Sequence, residues 1–176
     1  MESSLRQEIV DSLQALGQGS VSQIAELVGA PADGLYYHLK ALARVGLIRQ
    51  TGSRRKAKGR PEAVYRVVGP RHGLRLRYPR GRGEESKATR RLVASMLRTA
   101  GRDFARALER DDVVLEGPRR ELWASREKGW LTRAEVARAN RLLRELAELW
   151  RAGRPGPKAK LYSLSFLLAR VPLPRS

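Results

Sequence analysis

Two short apolar stripes separated by Gly29-Ala30-Pro31 are the feature that leaves this chain the fewest folds. Ser20-Val21-Ser22-Gln23 has capping-box spacing, so a helix opens at Ser20 and buries Ile24, Leu27 and Val28. Gly29 suits a left-handed stop and Pro31 suits the start of the next helix, which predicts a tight turn. Leu35, Leu39, Leu42 and Val45 then recur at three and four, and Gly46 ends that stripe. Upstream, Leu5, Ile9, Leu13 and Leu16 define a first helix closed by Gly17 and Gly19. Downstream, Leu47-Ile48-Arg49-Gln50 and the alternating run from Pro61 to Val68 flank a Gly-rich tip and read as a hairpin. Three helices followed by a hairpin predict a winged helix-turn-helix.

The polar positions of this unit are as constrained as the apolar ones. With the leucine stripe buried, Asp33, Tyr36, Tyr37 and Lys40 fall on other faces of the third helix. Two adjacent exposed tyrosines are unusual on a surface that only has to be wetted. Each can lay its ring on thymine methyls or sugars and bond a base edge or phosphate through its hydroxyl. The sequence leaves open whether one of the pair packs inward on the hairpin. His38 borders the apolar stripe, which suits a hydrogen-bonded structural role as well as a base contact. The hairpin tip carries Arg54, Arg55, Lys56, Lys58 and Arg60, a density of cations that is expected to order on an anion.

Charge extends this reading. Of a formal net charge of +18, residues 49–91 hold 15 basic and 3 acidic side chains, whereas residues 1–48 are slightly acidic. A surface of that kind gains affinity for a polyanion by releasing its condensed counterions. The alternative is a solvated or membrane-facing basic patch, but the charge adjoins a helix-turn-helix pattern. No apolar run approaches the roughly 20 residues of a membrane span, and the opening residues have no signal-peptide core, so a cytoplasmic protein is expected.

Residues 5–68 resemble the winged helix-turn-helix of ArsR-type bacterial transcriptional regulators. The likeness rests on Leu35-Tyr36-Tyr37-His38-Leu39 in the third helix and on Gly59-Arg60-Pro61-Glu62-Ala63-Val64-Tyr65 closing the wing. It implies that the third helix enters a major groove through Asp33, Tyr36, Tyr37, His38 and Lys40, and that the basic tip lies on phosphates. Two departures stand out. The chain has no cysteine, which removes thiolate metal sensing. Pro31 stands where a capping serine is common, and Gly34 weakens the helix start by about 1 kcal/mol relative to alanine.

In the second half, residues 87–109 read as a long helix with Leu92, Val93, Met96, Ala100, Phe104 and Leu108 in a stripe too wide for one shallow contact. One side of it is expected to form a subunit interface, as the helix after the wing commonly does in the family resembled. Residues 120–126 and 161–171 alternate like strands, and a capping box, Thr132-Arg133-Ala134-Glu135, opens a helix that runs to Gly153. The fold class expected is α+β: an N-terminal winged helix-turn-helix, a long dimerisation helix and a small C-terminal α+β module. The corresponding segments are 1–72, an edge strand and hinge at 73–86, and 87–176. Trp123, Trp130, Trp150, Tyr162 and Phe166 are expected to be core of that module, with a pocket for an unknown small-molecule effector as the alternative.

No phosphate-cradling loop, nucleophile elbow or metal-ligand spacing is present in the sequence, and Asp111-Asp112, the one dense carboxylate pair, sits among arginines as a solvated turn would. The expectation is therefore a protein that is not an enzyme, needs no cofactor or metal, and binds double-stranded DNA as a homodimer. An RNA- or nucleoid-coating protein and a protein-interaction module are the alternatives, and they differ by having no sequence preference and no duplex affinity, respectively.

Overall fold

The computed structural model describes residues 2–55, 61–69, 78–81 and 83–172. Five helices and three strands are described: α1 (Glu2–Leu16), β1 (Gly19–Ser20), α2 (Val21–Val28), α3 (Ala32–Arg44), β2 (Ile48–Arg54), β3 (Glu62–Val67), α4 (Glu84–Leu108) and α5 (Arg133–Ala152). The strands form one antiparallel sheet in the order β1-β3-β2. Lys56, Lys58 and Arg60 of the tip, and most of the edge strand expected near 74–78, lie outside the described residues.

Local chemistry accounts for the helical boundaries. Ser20 Oγ accepts from the Gln23 amide and Gln23 Oε1 accepts from the Ser20 amide at 3.0 Å, so α2 starts where two orphan donors are satisfied reciprocally. Gly29 ends α2 at φ +69, a conformation that costs a side-chain-bearing residue about 1 kcal/mol or more. Pro31 is the N-cap of α3 and supplies no side-chain bond. Asp33 in the first turn offsets part of that loss by placing negative charge at the positive helix end.

The three helices and the sheet close over one apolar cluster in which Ile9, Leu13, Ile24, Leu35, Leu39 and Ile48 are fully buried. Tyr65 joins it from β3, and burial pushes its hydroxyl above the ordinary tyrosine range. Two expected core members lie outside: Leu27 is exposed on α2, and Val45 is exposed because α3 ends at Arg44 and leaves it as the cap residue. β1 is a further departure. Its two residues pair with Val64 and Tyr65, and a side chain on Gly19 would meet Leu16 Cδ1 at 2.7 Å, so any larger residue there would have to displace the end of the Leu16 side chain.

α4 starts at Glu84, three residues earlier than its apolar pattern suggests, and it docks on α1 through a polar side. Thr99 Oγ1 and Arg102 Nη1 both donate to Glu8 Oε1 at 3.3 Å, and Arg102 Nη2 bonds Glu8 Oε2 at 2.7 Å. Ser95 is buried, and Arg106 lies about where a side chain on Gly29 would reach, at the carbonyl end of α2, where a cation is favoured. Ser95, Thr99, Arg102 and Arg106 share one face. At about 100° per residue, Val93, Met96, Leu97, Ala100, Phe104 and Leu108 centre roughly 150° away from it. Leu92 lies between the two faces, and no apolar residue of α4 joins the buried cluster.

The C-terminal half departs most from expectation. α5 forms behind its Thr132–Glu135 capping box, but neither 120–126 nor 161–171 is a strand. A ladder needs a run of paired backbone groups; in 120–126 only the Arg120 and Glu121 amides donate to backbone, to Gly117 and Val114, and in 161–171 no amide does so among the described residues. Trp123, Trp130, Trp150, Tyr162 and Phe166 are all exposed, so they are neither a core nor the lining of an enclosed pocket.

The half is nonetheless held in a definite shape. Glu121 accepts from the Tyr162 hydroxyl, from the Val114 amide at 3.1 Å and from Lys160 Nζ at 3.1 Å, and these donors hold its carboxyl at about 2, well below the usual range. Trp150 Nε1 donates to the Tyr162 carbonyl at 3.0 Å, and the Arg120 guanidinium stacks over the Trp123 ring at 2.9 Å. Because the folded pKa of Glu121 is depressed, its stabilisation is complete above about 4.5 and lost as pH falls toward about 2. All three tryptophans of the chain lie in this half. Their fluorescence is therefore expected to change across that pH window, and Glu121→Gln is expected to lose the transition.

Candidate nucleic-acid interface

α3 turns Leu35, Leu39 and Leu42 into the core and, as a 3.6-residue helix must, turns the intervening positions out. Asp33 and Lys40 are exposed, Tyr36 is 40% exposed and Tyr37 is 63% exposed. Tyr37 points to solvent, whereas Tyr36 lies close enough to the buried Tyr65 of β3 for the two hydroxyls to interact electrostatically. The Tyr37 ring meets the His38 ring edge-on at 5.3 Å, and the Arg6 guanidinium lies 5.9 Å from its centroid, so α1 supplies a cation beside the tyrosine. His38 is half-buried, and its Nδ1 is buried without a hydrogen-bond partner. That arrangement places the imidazole as a support for Tyr37 more than as an outward reader.

The sheet carries the second part of the surface. Beyond Ile48, every residue of β2 is exposed, including Arg49 and Arg54, and Arg55 follows on the same exposed stretch. Arg49 pairs directly with Arg66 of β3. Two like charges opposite one another on a ladder repel, and an anion laid across them relieves that repulsion. Neither arginine was singled out by the sequence, because their juxtaposition depends on strand register. Among the described residues, Asp33, Tyr36, Tyr37 and Lys40 of α3 and Arg49, Arg54, Arg55 and Arg66 of the sheet region are thus all exposed.

Glu62 fixes the sheet to the helices. It is 4% exposed, and its Oε1 accepts from the Ser22 amide at 2.5 Å and from Ser22 Oγ at 2.6 Å, at the positive end of α2. The base of the wing is thus tied to the helix preceding α3. Glu62→Gln keeps an acceptor but removes the charge. It is expected to lower unfolding stability by about 1 kcal/mol, read in a urea titration.

A helix-turn-helix domain family model matches residues 1–51, the three helices and the start of β2. No curated protein matches the chain. The match and the geometry together define the N-terminal part as a helix-turn-helix domain with a wing-like antiparallel sheet, the architecture of DNA-binding regulators. Residues 52–176 lie beyond the matched region. Among the described residues no helix is long and apolar enough to cross a membrane.

Proposed function

We propose that the protein is a sequence-specific, double-stranded-DNA-binding transcriptional regulator of the ArsR type, cytoplasmic and bacterial, acting as a homodimer and performing no catalysis. The observation that carries the reading is the exposure of Tyr36 and Tyr37 on α3 together with that of the arginines of the sheet. Tyrosine rings and hydroxyls suit base edges and methyls in a major groove, and arginines suit the phosphates that flank it. The two-fold arises from α4, whose polar side is already engaged on α1 and whose opposite side offers the exposed Leu97 and Leu108 and the half-buried Val93, Met96, Ala100 and Phe104 to a second α4. An effector, if one acts, has no enclosed aromatic pocket among the described residues of one copy.

Selection of binding sites from a random duplex library tests this directly. Enriched sites are expected to hold two half-sites whose centres lie about 10 to 10.5 base pairs, or a multiple of that, apart. Binding that enriches no sequence, or that prefers structured RNA in competition, overturns the proposal in favour of a nucleic-acid coat protein.

A further inference from the structure

The stretch from Arg110 to Pro172 combines fixed shape with missing burial. The Glu121 hub and the Trp150–Tyr162 bond give it a defined path, yet Trp130 is 86% exposed, and Trp123, Leu149, Leu161 and Leu167 are exposed with it. α5 packs closely on none of the other helices or strands. The chain as a whole exposes 14780 Å². A compact monomer of 19.7 kDa exposes about 8,600 Å². The chain therefore exposes more than a compact monomer of its mass, and the bare apolar side chains of the arm are part of that excess.

We infer that this C-terminal arm is exchanged between two copies of the chain, each arm completing its core on the other. Residues 161–169, Leu-Tyr-Ser-Leu-Ser-Phe-Leu-Leu-Ala, alternate in the manner of a strand and carry no charge in a chain of +18. None of the backbone amides of residues 161–172 donates to another backbone group among the described residues. A segment of this kind is an open strand edge. Pairing it with its own copy brings no like charges together, whereas a polyanion gains nothing from an uncharged run. Two-fold antiparallel pairing satisfies both segments at once, because the same surface serves both copies. The inference rests on the homodimer proposed above, and it extends the contact from α4 to the arms.

The test uses the intact chain without DNA and exploits the location of every tryptophan in the arm. Sedimentation equilibrium gives the mass, and iodide and acrylamide quenching report whether the tryptophans are covered. Arm exchange predicts a dimer with shielded tryptophans, several-fold easier to quench once diluted to monomer. It also predicts that Phe166→Asp weakens the dimer at least tenfold while the helical signal of the N-terminal domain persists. A dimer whose tryptophans are freely quenched at every concentration overturns exchange and leaves the α4 interface standing. A monomer with shielded tryptophans shows that the arm folds back on its own chain and overturns exchange. A monomer with open tryptophans overturns exchange and the α4 interface together, and points to a different protein as the arm's partner. The quenching is done on the unaltered chain, so misfolding of the variant does not blunt the test.

Discussion

Replacing Phe104 with glutamate is expected to raise the dimer dissociation constant at least about a hundredfold, because an unpaired carboxylate buried in an apolar contact costs several kcal/mol. Phe104 lies near the centre of the α4 side that faces away from Glu8, so the substitution leaves the bonds from Thr99 and Arg102 intact. The folded monomer is therefore expected to keep its thermal midpoint when compared below the dimer dissociation constant. Operator affinity is expected to fall by about 10²-fold or more, since two half-sites bound through one linked body gain that much over a single site. Affinity for an isolated half-site is expected to stay unchanged. Sedimentation and fluorescence anisotropy on whole and half operators separate these effects. An unaltered dissociation constant would place the two-fold somewhere other than α4.

Tyr37→Ala is expected to cost about 1 to 3 kcal/mol on the selected operator and little on random duplex. Tyr37 is the most open apolar-bodied side chain of α3, and it is braced by His38 on one side and Arg6 on another. A braced ring loses little freedom on binding, which concentrates its effect on the bases it meets. Arg55→Ala makes the contrasting control. It is expected to weaken operator and random duplex alike, and to flatten the slope of log affinity against log salt by about one unit. Equal losses on both duplexes for the tyrosine change would contradict its assignment to the groove.

What the sequence made legible follows the range of each interaction. The capping boxes at Ser20 and Thr132, and the leucine stripe of α3, act over three or four residues, and the helices begin and continue where those signals lie. That Tyr36 and Tyr37 fall off the buried stripe follows from the same periodicity, but which of them turns toward the hairpin does not. β1 was not legible, because Gly19 and Ser20 become a strand only by meeting Tyr65 and Val64 far along the chain. The Glu62 anchor spans 40 residues, and the Arg49–Arg66 pair exists only once the hairpin register is set. Residues 120–126 and 161–171 have the alternation of strands, but alternation describes side chains. A strand also needs a neighbouring strand, and among the described residues of one copy neither segment pairs with one. The apolar stripe of α4 was legible; that its opposite side would be a polar dock on Glu8 was not.

Dimethyl sulfate footprinting on the selected operator probes the central claim most directly, since the reagent methylates guanine N7 in the major groove and adenine N3 in the minor groove. An α3 carrying Tyr36 and Tyr37 into the major groove predicts guanine N7 protection in two patches on one face of the duplex, about one helical turn or a multiple of it apart. That protection should be lost in the Tyr37→Ala protein while the complex still forms at higher concentration. Protection confined to adenine N3, or a stable complex in which every guanine N7 stays reactive, would contradict the account.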